Sequence, residues 1–227
     1  MSVHSRSQLV RLVLLASALL GSLALLSSAR AGPLLTTRDL PRSTTGQQKL
    51  VSLTAGTTYE ASLLKPTPVF KPAVVGWRGT QFETHRHGGA AYQSIGLLWQ
   101  GSSDRGILIV SGPAITLSPA ATLAEPRARS ANWNFTPYEP PGPVQHTTIA
   151  GRPAVYFDAT APPPGEWTIL GKNPPEVRIV HDRSFRMEAL RIHAQTVVII
   201  IAAPAADFAQ FLPIASRIVA SLRFQSA

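Results

Sequence analysis

The chain has no cysteine among its 227 residues. No disulfide holds it and no lipid can be attached at a processed amino-terminal cysteine, so its stability rests on packing. Acids are scarce, 12 against 21 lysines and arginines, and the net charge is +9. They are also scattered, with Asp104, Asp158, Glu166, Glu176, Asp182 and Glu188 among them. A paired-carboxylate glycosidase would need two of these to meet in space, because nothing in their spacing pairs them along the chain. The Gly-x-Ser-x-Gly elbow of acyl-transfer enzymes is missing, and with it that nucleophile signal. No internal repeat and no low-complexity block is present apart from proline-rich turns. No catalytic residue is expected.

Residues 1–31 read as a signal peptide. His4, Arg6 and Arg11 make the amino end positive, Leu12 to Leu26 is apolar and uncharged, and Ala29-Arg30-Ala31 supplies small residues at the cleavage positions. Cleavage after Ala31 leaves 196 residues, enough for one domain with a sizeable core, and lowers the net charge from +9 to +6. The alternative is an uncleaved amino-terminal anchor, since Arg30 lies inside the cleavage site; only then does the chain engage a membrane. No twin-arginine pair precedes the apolar run, which favours the general export route. An exported domain of this size without disulfides suits a bacterial envelope. Residues 32–49 are rich in Thr, Arg, Gln and Pro, without apolar periodicity, and read as a flexible lead-in or a tether.

From residue 50 to 227 the pattern predicts a single α+β domain, a central antiparallel sheet with a carboxyl-terminal helix and one short helix packed on it. Short apolar pieces at turn spacing run to Val74-Val75-Gly76-Trp77, where a strand ends. Gln81 to His87 alternates, and Tyr92–Trp99 pairs with Gly106–Val110 across a turn at Gly101-Ser-Ser-Asp104. Ser118-Pro119 opens a helix of about two turns that Pro126 stops. Ala131–Pro143 is an aromatic-bearing loop; its Asn134-Phe-Thr136 matches a glycosylation acceptor that a bacterial source leaves idle. Strand character returns at 152–159, 167–170, 176–181 and 185–193, with Asp182-Arg183-Ser184 turning the last pair.

Thr196 to Ala202 is an unbroken β-branched run too short to cross a bilayer, and so a strand covered on both faces. Ala203-Pro204 breaks it and Asp207 marks a helix start. Phe208, Phe211, Leu212, Ala215, Ile218, Val219 and Leu222 form one apolar stripe, while Pro213 predicts a kink or a later start. This strand, the Ala203–Phe208 connection, the helix and Ile218–Phe224 together resemble the closing segment of the Mog1/PsbP-like fold, including secreted actinobacterial lipoproteins of that type. The Gly76-Trp77 pair is similar to the end of an early strand in the same fold. The resemblance covers about 30 residues at one end and a few near the other. It implies a central antiparallel sheet with helices on it and an accessory or binding role, and it supplies no catalytic residue.

Glu83-x-His85-x-His87 is the sharpest chemical pattern. Alternate residues of a strand share a face about 6–7 Å apart, which suits two or three ligands to zinc or copper. The competing reading is a polar solvent face of an edge strand, since Gly88-Gly89-Ala90-Ala91 follows and no fourth ligand is evident. No other cofactor is expected. His146, His181 and His193 read as surface or structural histidines. Arg127 and Arg129, with Arg186 and Arg191 if both are exposed, would make a surface for lipid head groups, wall polymers or other polyanions. Trp133, Phe135 and Tyr138 beside Arg127 and Arg129 lack the spacing for nucleic-acid binding, and export argues against it. These observations point to an exported envelope protein of binding or accessory type, whose ligand is a partner, a polymer or a small apolar molecule. The alternatives are a metal-binding protein or metalloenzyme at His85 and His87, and a polyanion-binding surface protein.

Overall fold

The computed structural model describes residues 36–44, 49–84, 92–102, 104–112, 115, 117–123, 144–161, 167–169, 177–179 and 182–225. The strands are β1 (Arg38–Asp39), β2 (Arg42–Ser43), β3 (Val51–Ser52), β4 (Tyr59–Glu60), β5 (Thr67–Phe70), β6 (Trp77–Thr84), β7 (Tyr92–Trp99) and β8 (Gly106–Ser111). After a short helix α1 (119–123) come β9 (Gln145–Ile149), β10 (Arg152–Ala161), β11 (Trp167–Ile169), β12 (Val177–Ile179), β13 (Arg183–Ile192), β14 (Gln195–Pro204), helix α2 (Ala205–Ser221) and β15 (Arg223–Gln225).

The apolar run at 196–202 becomes the middle of the main sheet, as its composition demands. β14 pairs antiparallel with β13 on one side and β8 on the other. Its even residues Val198 and Ile200 enter one core and its odd residues Val197, Ile199 and Ile201 another. Each such side chain contributes roughly 1.5–3 kcal/mol on burial. The sheet runs β2-β6-β7-β8-β14-β13-β10-β9, with β3 also on β6. α2 covers one face: Phe211, Ala215, Ile218 and Val219 are buried, so the expected stripe is the one that packs. Its strand contacts are with β14, β13 and β5, and Phe211 lies 6.0 Å from Trp77, centroid to centroid. α1 closes the other face through Leu123, and Ser118 Oγ accepts the amide of Ala121 as an N-cap.

Turns follow the local chemistry. Ala150 and Gly151, at φ 53° and 73°, form the two-residue connection of β9 to β10, a type I′ geometry that favours glycine. At Gly106 an added Cβ would sit 2.6 Å from the Leu97 carbonyl oxygen, so β8 can lie against β7 only with no side chain there.

Several expectations need correction. The strands form more than one antiparallel sheet: β1-β4-β5-β15 is a second sheet and β11-β12 a third, while β1/β4 and β2/β6 are parallel. Part of the supposed lead-in is structured, since β1 pairs with β4, β2 pairs with β6 and Leu40 is 2% exposed. Gly79 makes room for it: an added Cβ would lie 3.2 Å from Leu40 and 3.3 Å from Leu53. Gln81, fully buried, accepts the Leu63 amide through Oε1 and donates through Nε2 to Asp39 and the Leu40 carbonyl. That satisfied amide fastens three segments, which a solvent-facing strand would not do.

Gly76-Trp77 opens β6 rather than closing a strand, with Gly76 at φ 104°. Strands β11 and β12 pair with each other, and β13 turns into β14 through His193-Ala194. Helix α2 starts at Ala205 and runs through Pro213. Both Pro213 and Ala209, whose carbonyl loses its partner, are exposed, so water can satisfy that oxygen. No described helix is long and apolar enough to cross a membrane. Residues 1–31 and the 131–143 loop lie outside the described residues.

Candidate functional site

Most of the expected site residues lie outside the described residues. Glu83 lies in β6 opposite Gln93, whereas His85 and His87 are outside the described residues. Among the described residues no group of three or more His, Cys, Asp or Glu is placed to hold a metal ion. Arg127 and Arg129 also fall outside. Arg186 and Arg191 are separated by an odd number of positions on a continuous strand and therefore project from opposite faces of β13. Arg191 donates to the Leu117 carbonyl and the Thr196 hydroxyl, while Arg186 is engaged by Asp158, so the two do not form one positive patch. His146 is exposed on edge strand β9, and His193 occupies the β13–β14 turn at φ 53°. His181 lies outside. Ser62 and Lys65 stand in Ser-x-x-Lys spacing yet serve other partners: Ser62 Oγ donates to Asp39 and Lys65 Nζ to Thr67.

A different group does assemble, on β9, β10 and β13. Sheet register sets Tyr156 opposite Glu188, Asp158 opposite Arg186, Thr160 opposite Ser184, and Gln145 opposite Tyr156. These positions share a face with Ala154, Leu190 and Ile192, which belong to the core beneath α2. The strand contacts of α2 run to β14, β13 and β5, and the polar strip lies on the β10 side of that helix. Arg186 Nε and Nη2 donate to the two carboxylate oxygens of Asp158, each at 2.7 Å. Its guanidinium carbon lies 4.3 Å from the centre of the Tyr156 ring. The Tyr156 hydroxyl donates to Gln145 Oε1, and the hydroxyls of Thr160 and Ser184 are 2.7 Å apart. Asp158 first among its partners holds the Arg186 guanidinium above its ordinary value.

Glu188 is the exception in this satisfied group. It is 6% exposed, flanked across the strands by Tyr156 and Ile199, and its Oε2 has no hydrogen-bond partner. Burial pushes its carboxyl up to about 7; Arg186 opposes the rise and Asp158 adds to it. Among the described residues the other buried side-chain atom without a partner is the neutral Trp77 Nε1, set among Trp99 and Phe211. A carboxyl poised near neutrality can give or take a proton or accept a strong donor. Asp158 and Glu188 stand on neighbouring strands of one face, and both Asp158 oxygens accept from Arg186. The signal for Glu188 was present in the alternation Arg186-x-Glu188-x-Leu190-x-Ile192, which puts the acid in line with two core residues.

No protein-family model and no curated protein matches the chain. Among solved structures it is similar to the solution structure of cyanobacterial PsbP (CyanoP) from Synechocystis sp. PCC 6803. Identity is 10%, the match covers 76% of this chain and 95% of that one, and the TM-score is 0.44.

Proposed function

We propose that this chain is an exported protein of a bacterial envelope that works by binding rather than by catalysis, and that the β9–β10–β13 polar strip is its ligand-contacting surface. The observation carrying the reading is Glu188, a buried carboxyl with an unpartnered oxygen at the centre of an otherwise satisfied polar group. Leaving such a group unpaired costs stability, and costs of that kind concentrate where a ligand is to be met. The amino-terminal segment with its Ala29-Arg30-Ala31 positions supports export. The strip offers carboxylates, hydroxyls and an amide, so it favours a hydrogen-bonding polymer or partner over a small apolar ligand.

Titrating soluble cell-wall glycan fragments into the isotopically labelled protein tests this. Amide shifts confined to β9, β10 and β13, and lost in Glu188→Gln, are the expected result. Shifts elsewhere would remove the strip as the surface. Cleavage of the fragments that stops in Glu188→Gln would replace binding by catalysis.

A further inference from the structure

We propose that the Glu188 position receives a primary ammonium group carried by the ligand; this rests on the strip being the ligand surface. Arg186 spends Nε and Nη2 on Asp158 and lays its plane against Tyr156. The Tyr156 hydroxyl is spent on Gln145, and those of Thr160 and Ser184 on each other. Donors that these contacts leave over, on Arg186 and the exposed Gln145, can meet solvent, whereas the buried atom of the strip left without a partner is an acceptor, Glu188 Oε2. A complementary ligand must therefore bring a donor.

Charge narrows the choice. Arg186 and Asp158 cancel, so ionised Glu188 makes this a local −1 on a chain of +9. A cation restores neutrality there, and a charge-assisted bond to a buried carboxylate is the strong kind. A divalent metal ion fits poorly, because it needs several oxygens and those of Asp158 already hold a guanidinium. Size narrows it further, since Glu188 is 6% exposed and admits only a slender group. Solvent reaches the cluster from Asp158 and Arg186, whose side chains are 44% and 21% exposed. The ammonium approaches from that side, beside the Arg186–Asp158 pair. The ligand class is thus a slender amine-bearing chain of the lysine side-chain type.

The probe is n-butylamine, with n-butanol as its neutral counterpart, read on the 13C carboxyl resonance of Glu188 in the full processed chain. The charges acting on Glu188 are Arg186 and Asp158. β14 brings Ile199, and of the titratable groups on α2, Asp207 is paired with Arg105 and Arg217 is exposed. Butylamine is expected to shift the resonance and lower its titration midpoint by a unit or more at saturation. Below that midpoint its affinity should rise about tenfold for each unit that the pH is raised, levelling off above it, and fall at least tenfold in Glu188→Gln. Equal responses to amine and alcohol, or none to either, would overturn the proposal; because these are read on the wild type, they do not depend on the variant folding. If glycan fragments shift the strip and butylamine does not, the surface stands and the ammonium site falls; if neither does, both fall.

Discussion

Glu188→Gln should make the protein more stable at neutral and alkaline pH, and by a calculable amount. In the unfolded chain the carboxyl ionises at its model value of 4.5, whereas in the folded protein burial delays ionisation to about 7. Below pH 4.5 both states are protonated and ionisation costs nothing. Between 4.5 and 7 the unfolded state ionises and is favoured, so stability declines as pH rises; above 7 the loss is complete. At about 1.4 kcal/mol per unit, a displacement of this size amounts to about 3 kcal/mol. Glutamine keeps the shape without the charge and escapes the loss. Urea denaturation at half-unit intervals from pH 4 to 8 should show the two proteins converging at pH 4 and the variant leading by about 3 kcal/mol at pH 8. In a domain of this size that is on the order of 10 °C in Tm. A variant less stable at every pH, or a difference independent of pH, would show that Glu188 is satisfied in the fold and would remove the reasoning.

Other outcomes follow from separate contacts. Gly106→Ala should cost about 1–3 kcal/mol in urea midpoint terms, because its Cβ meets the Leu97 carbonyl at 2.6 Å and β7 cannot yield. Burial pushes the Asp39 carboxyl up, but the Ser62 hydroxyl and amide, the Gln81 amide and Arg42 outweigh it and hold it below 3.8. Its contribution is present above the unfolded value and lost as pH falls through the folded one, so Asp39→Asn should be destabilising at pH 6 and progressively less so as the pH is lowered through the folded value. The zinc or copper proposal at Glu83, His85 and His87 predicts a metal-dependent rise in Tm that His85→Ala/His87→Ala abolishes; an unchanged Tm in the wild type contradicts it.

What was legible in the sequence is what depends on one element at a time. The β-branched run at 196–202 and the stripe from Phe208 to Leu222 carry their burial in their own spacing, and both pack as they read. The pairing of Tyr92–Trp99 with Gly106–Val110 was equally local. Leu40 was not legible, because what buries it is the missing side chain of Gly79, 39 residues away. Nor was the separate sheet formed by β5 and β15, whose strands lie more than 150 residues apart. The candidate site was hidden for the same reason. Asp158 and Arg186 are unremarkable until β10 and β13 come into register, and the alternation that puts Glu188 in line with Leu190 and Ile192 does not show that Tyr156 and Ile199 flank it.

The most direct measurement is the 13C-detected pH titration of the Glu188 carboxyl in the ligand-free protein. A midpoint near 7 is the result predicted for a buried carboxyl waiting for a donor. A midpoint near 4.5 would mean that the carboxylate is already solvated or paired, and the polar strip would then be an ordinary structural surface.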